Sequence, residues 1–150
     1  YKTPKDSFTE QVHILTPKTL NGNNRLFGGQ LMEWIDIVAT VVGRRHSNHE
    51  VTTVLVDKLE FKSPAYIDNV IVLTGKIVYT GNTSMEICVK SFVENLNGMR
   101  KLINLAYITV VAIDKTGNPI KVVPLKPETE EEQEEWNMAE KRIALRKIHK

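Results

Sequence analysis

The sequence predicts an α+β domain: a curved antiparallel sheet of about five strands wrapped around one long helix, with a second helix at the C-terminus. Three observations predict it. Apolar residues in segment 27–43 recur at spacings of three and four, the helical period. Between residues 51 and 114 the apolar residues instead alternate or run on without a break, as half-buried and central strands require. The connections between those runs are short and turn on Asn69, Gly81-Asn82, Asn97-Gly98 and Thr116-Gly117. Connections of that length join antiparallel neighbours, because parallel strands need long crossovers.

Taken in order, residues 1–9 read as a flexible arm, 10–127 as one domain and 128–150 as a charged helix. EQVHILT (10–16) predicts a short first strand, and Pro17 to Asn24 a loop rich in Asn and Gly. The helix runs from about Phe27 to Gly43, with Leu31, Ile35, Val38, Ala39 and Val42 on one apolar face. Several of these are β-branched, so the helix needs tertiary packing to hold it. Gly43 and the RRHSNH run after it mark its end. Strands follow at 51–64, 70–81, 83–95 and 102–114, the third placing Met85, Ile87, Val89 and Val93 on one face. A helix of about 17 residues is roughly 25 Å long and can fill the concave side of such a sheet. The strands also carry apolar residues toward the other side, and the simplest cover for it is a second copy of the chain. In the tail, the acidic run ETEEEQEE precedes the basic KRIALRKIHK, in the sense that complements a helix dipole. Trp136, Ala139, Ile143 and the stem of Arg146 form a narrow stripe that predicts packing on this domain or a neighbour.

Bulk properties exclude several functions. The 150 residues are 41% hydrophobic, enough for the core of one domain. Twenty basic residues against 18 acidic ones leave a formal charge of +2, which gives no argument for nucleic acid. Neither an apolar run of membrane-spanning length nor a signal-peptide pattern is present, and the single Cys88 fits a reducing compartment, so the cytoplasm is the expected location. The chain does not begin with Met, which leaves room for preceding residues.

Chemistry narrows by elimination. There is no GxSxG elbow, and Cys88 sits inside an alternating strand as a small packed hydrophobe. His46 and His49 lie in a polar run with no second cysteine and no HxH or HExxH pattern, so no metal is expected. LFGGQ is neither a phosphate-binding P-loop nor a dinucleotide loop. What remains is NGNNRLFGGQLMEWIDIVAT (21–40). Gly28-Gly29 at a helix start leaves backbone N–H groups without partners, open to a polarised oxygen, although two glycines also suit a tight turn. Asp36 stands two turns further on among Trp34, Ile35, Ile37 and Val38, with Glu33 a weaker acid nearby. A carboxylate in such company either pairs with a base such as Arg44 or Arg45, or faces a cleft as general base or nucleophile.

LNGNNRLFGGQLMEWIDIVA resembles the signature of the hotdog-fold acyl-CoA thioesterases, the bacterial acyl-CoA hydrolases and the cytosolic acyl-CoA hydrolases of eukaryotes. The features carrying it are Asn21, Phe27-Gly28-Gly29 and Asp36; Phe61, Lys62, Pro64 and Asp68 follow in VDKLEFKSPAYIDNV, and the likeness extends over about residues 10–125. The resemblance implies a hotdog fold and hydrolysis of acyl-CoA to fatty acid and CoA, with no cofactor beyond the CoA of the substrate. It implies Asp36 as catalytic carboxylate, Asn21 (or Asn23) as the amide beside the thioester, and the Gly29 N–H, with Gly28, as donor to the carbonyl. Thr83 and Ser84 correspond to small polar residues near the CoA site. Asn24-Arg25 stand where many relatives carry Gly or Asp just before the aromatic segment, and Arg25 could reach a CoA phosphate or face solvent. The family assembles as dimers, often three together, with sites at subunit interfaces. A hydroxyacyl-thioester dehydratase using His13 or His46, and a non-catalytic acyl-CoA-binding module, are the alternatives within the fold.

Overall fold

The computed structural model describes residues 1–20, 22, 26 and 28–148, and of residues 58–61 and 148 the backbone alone. The predicted architecture is present. Strand β1 (Thr9–Ile14) leads to helix α1 (Gly28–Ser47), then β2 (Glu50–Phe61), β3 (Val70–Thr80), β4 (Ser84–Glu94), β5 (Arg100–Ile113) and helix α2 (Glu130–Ile148). The five strands form one antiparallel sheet in the order β1-β3-β4-β5-β2. β1 and β2 are its edges, although α1 separates them in sequence. The sheet curls far enough for α1 to touch all five strands. Register shifts at Thr53/Leu55 and Asp57/Glu60 in β2, Ile77/Tyr79 in β3 and Ser91/Phe92 in β4 add local twist, as bulges do.

The core lies between α1 and the concave face. Leu31, Ile35, Val38, Ala39 and Val42 are fully buried there against Ile71, Leu73, Ile77, Met85, Ile87, Val89, Ile108 and Val110. Two glycines set how closely the helix sits. A Cβ on Gly75 of β3 would lie 2.5 Å from Val38 Cγ1 and 2.8 Å from Val42 Cγ2; one on Gly43 of α1 would lie 2.9 Å from Val110 Cγ2. Gly43 therefore serves packing and does not end the helix. This corrects the expected boundary, since α1 continues through Arg44, Arg45 and His46 to Ser47. One of the last carbonyls finds a side-chain partner: Lys2 Nζ donates to Arg45 O at 2.8 Å, and also to the Asn48 side-chain Oδ1 at 3.2 Å.

Residues 1–8 also differ from the loose arm that was expected. Lys2 bridges to Leu125, Pro4–Asp6 forms a 3₁₀ turn, and Thr3, Pro4 and Ser7 are buried. The convex face is covered in part by the chain's own α2, where a second copy was expected. Ala139 is buried against Val78 and Cys88, and Trp136 packs against Tyr79 with the two rings tilted by 44°. Arg142 Nε donates to buried Glu86 at 2.9 Å with its guanidinium over the Tyr107 ring, while Arg146 reaches Asp57 and Lys76 reaches Glu135. Arg142 and Arg146 in the basic end of α2 thus pair with this domain's own carboxylates.

Gly75→Ala should lower unfolding free energy by about 2 kcal/mol, the usual scale of overpacking, and urea denaturation would reveal it. An unchanged midpoint would contradict the close approach. Burial pushes the Cys88 thiol up to about 11. The folded protein should therefore react with a thiol reagent at pH 8 far more slowly than the urea-unfolded chain.

Candidate active site

Helix α1 is buried on one side only. At 100° per residue, Leu31, Trp34, Ile35, Val38 and Val42 cluster toward the sheet, while Gly29, Glu33, Asp36, Ile37, Thr40 and Arg44 fall on the opposite side. Gly29, Glu33, Ile37 and Arg44 are exposed there, and Asp36 and Thr40 half-buried. Asp36 is therefore in an apolar helix without being in the core.

Its partner is a residue that sequence reasoning missed. Thr53 Oγ1 of β2 donates to Asp36 Oδ1 at 2.7 Å. The bond spans 17 residues, and Thr53 sits at the start of the register shift in β2, where the strand bends. Only the Thr-rich opening of that strand hinted at a polar partner. The bond orients the carboxylate and occupies one oxygen. Among the described residues no ion pair to Asp36 is observed: Arg45 Nη1 turns away to Phe8 O and Thr9 Oγ1.

Gly28 and Gly29 open the helix, Gly29 exposed. They lie about 10 Å along the axis from Asp36, seven residues at 1.5 Å each. Thr83 and Ser84 lie at the other end of the sheet, where the β3–β4 turn meets the end of β5: Ala112 N donates to Thr83 O and Gly81 N to Ser84 O. Both are half-buried. The structure thus does not gather Thr83 and Ser84 beside the Gly pair. Asn21, Asn23 and Arg25 lie outside the described residues.

The histidines have structural surroundings. His13 stacks on Trp34, centroids 3.9 Å apart and planes 6° from parallel, and Trp34 points about 200° away from Asp36 on the helix. His46 is fully buried, its Nε2–H donating to Val123 O at 2.7 Å, and burial holds its pKa below the ordinary value. A dehydratase histidine beside Asp36 is therefore not provided by either residue of the same chain. Among the described residues no group of three or more His, Cys, Asp or Glu is placed to hold a metal.

A family model described as the thioesterase superfamily matches residues 23–97. The chain is 34% identical to an uncharacterized acyl-CoA thioester hydrolase, YkhA, of Bacillus subtilis, over 99% of this chain and 90% of that one. It superposes on an apo-hexameric acyl-CoA thioesterase with a TM-score of 0.94 at 33% identity, covering 99% and 97% of the two chains. A Staphylococcus aureus acyl-CoA hydrolase, solved with butyryl coenzyme A, coenzyme A and coenzyme A disulfide, gives 0.93 at 28% identity, covering 99% and 91%. Alanine mutants of that hydrolase have also been solved, at an asparagine, an aspartate fifteen positions later and a threonine seventeen beyond it. With the curled sheet, the half-open helix and these likenesses together, the chain belongs to the thioesterase superfamily, among its hotdog-fold acyl-CoA hydrolases.

Proposed function

We infer that this chain hydrolyses acyl-CoA thioesters to a free fatty acid and CoA, with Asp36 as the carboxylate that does the chemistry. The observation carrying the assignment is the Thr53–Asp36 bond on the open side of α1. Thr53 holds one oxygen, leaving the other to take a proton from water or to attack the thioester itself. The same spacing that separates the three mutated positions of the Staphylococcus enzyme separates Asn21, Asp36 and Thr53 here. It supports Asn21, rather than Asn23, as the amide beside the thioester, and Thr53 as the residue that positions the acid.

The carbonyl oxygen needs fixed donors as charge develops on it, and first-turn N–H groups such as those of Gly28 and Gly29 suit that role. A thioester carbon cannot lie within bonding reach of both Asp36 and a Gly29 N–H about 10 Å away on the same helix. The donor and the acid therefore come from two copies. The surface agrees. Edge strand β2 exposes Val54, Leu55 and Val56, and the open side of α1 exposes Ile37, so a second subunit laid against this face buries apolar area and completes the site. A relative described as hexameric supports a hexamer here, which we read as three such dimers. The leaving thiolate is stable enough that no strong general acid is required. The cytosolic acyl coenzyme A thioester hydrolases of rat and mouse, each 30% identical over 83% of this chain, support a cytosolic setting, although the chain spans only about a third of their length.

Thiol release from acyl-CoAs of increasing chain length tests the activity. Steady release is expected, and loss of substrate without thiol would point instead to hydration chemistry. Asp36→Asn should cost several orders of magnitude in kcat with fold and assembly intact; near-normal turnover would refute its role. Thr53→Val keeps the shape but removes the donor, and should lower kcat by roughly tenfold, the worth of one charge-assisted hydrogen bond. Sedimentation at micromolar concentration should show an assembly, and a monomer alone would overturn the two-copy site.

A further inference from the structure

Helix α2 meets four strands along one line. Lys76 of β3 lies opposite Cys88 of β4, Cys88 opposite Tyr107 of β5, and Tyr107 opposite Asp57 of β2. Each member of this row touches one residue of α2. Lys76 Nζ donates to Glu135 at 2.8 Å, and Cys88 packs with Ala139. The Arg142 guanidinium lies 3.7 Å over the Tyr107 ring, and Arg146 Nη1 donates to Asp57 Oδ2 at 3.1 Å. Glu135, Ala139, Arg142 and Arg146 are spaced by four, three and four residues, one stripe of a helix. Eleven residues of helix rise about 16 Å, and a row of four strands is about 14 Å wide. α2 is thus a strap laid across the strands, and its stripe of contacts ends on the edge strand β2.

That strand carries Thr53. Thr53 and Asp57 are four residues apart, so a regular strand would turn both to the same face. They face opposite ways, Thr53 toward Asp36 of α1 and Asp57 toward α2. The register shift between Thr53 and Leu55 accounts for this: Val54 is the extra residue, and it inverts the alternation. Thr53 Oγ1 meets Asp36 only while the extra residue stays at Val54. The local sequence Val51-Thr52-Thr53-Val54 reads the same in both directions, so its pattern does not choose that position. β2 also has a ladder on one side only within the subunit. A contact from outside the ladder is needed to hold the phase, and Arg146 supplies one at Asp57.

We propose that Arg146 is a positioning residue for the reaction: its bond to Asp57 fixes the phase of β2 and so keeps Thr53 turned toward Asp36. The assignment rests on the hydrolase reading above and gives the C-terminal helix a part in it. The buried Arg142–Glu86 pair anchors the helix on β4 one turn earlier, which sets Arg146 within reach of β2.

The test uses the full chain with Arg146→Gln, Arg146→Lys, Thr53→Val, the double variant Arg146→Gln/Thr53→Val, and Glu135→Gln. Arg146→Gln should lower kcat about threefold with KM unchanged, the scale a partly exposed ion pair transmits and less than the loss from Thr53→Val. Arg146→Lys keeps the charge and should recover most of that loss. In the Thr53→Val background Arg146→Gln should have no further effect, because the contact it protects is already gone. Glu135→Gln loosens the other end of the strap, on β3, and should leave kcat as in the wild type. Amide hydrogen exchange gives a readout independent of turnover: residues 51–57 should exchange faster in Arg146→Gln and not in Glu135→Gln. An unchanged kcat in Arg146→Gln or Thr53→Val, a multiplied loss in the double variant, an equal loss in Glu135→Gln, or unchanged exchange over 51–57 would each overturn the proposal. A wild-type protein that cleaves no acyl-CoA would instead overturn the hydrolase reading beneath it, with the exchange result still deciding whether Arg146 holds β2.

Discussion

The distance between α1 and the sheet is the constraint on which the rest depends. Gly75 and Gly43 remove the two Cβ atoms that would hold the helix off, so Val38 and Val42 rest on β3 and the helix backbone rests against Val51 and Val110. With the helix that close, five strands can curl around it and all touch it. The same closeness brings Thr53 within hydrogen-bond range of Asp36. A helix standing one methyl further away would still be hydrophobic on the right face, but its acid would lose its orienting donor.

The curl leaves work unfinished on both sides. On the convex side, α2 covers the strands with a few apolar residues and a set of ion pairs, and the buried Glu86–Arg142 pair fixes where it docks more than it adds stability. Cys88 is sealed beneath it. On the concave side, the half of α1 facing away from the strands stays uncovered, as does the apolar edge of β2. An incompletely buried helix in a small domain is a cost that a second copy removes. The uncovered half also carries Asp36 and its hydrogen bond to Thr53, so on the proposed reading assembly and catalysis use one surface.

Much of this was legible in the sequence because it depends on short-range pattern. Period 3.6 from Leu31 to Val42, the alternation of Met85, Ile87 and Val89, and the Asn-Gly and Gly-Asn turns each express a local rule. Gly43 misled for a local reason too: glycine commonly ends helices, and nothing nearby in the chain reveals that Val110 lies 2.9 Å from where its Cβ would be. Residues 1–8 read as a polar arm because their partners, Pro124, Leu125 and Arg45, are more than forty residues distant.

The site divides along the same line. The sequence by itself determined that an acid stands in an apolar helix two turns from a glycine pair, since both facts concern one continuous segment with a fixed rise per residue. It also determined the family, through the order of Asn21, Gly28-Gly29 and Asp36. Only the tertiary structure decided which side of the helix stays open and that, among the described residues, Thr53 and not a basic residue holds Asp36. Those outcomes depend on contacts between a helix and strands far apart in the chain, whose geometry is set by packing and not by local pattern.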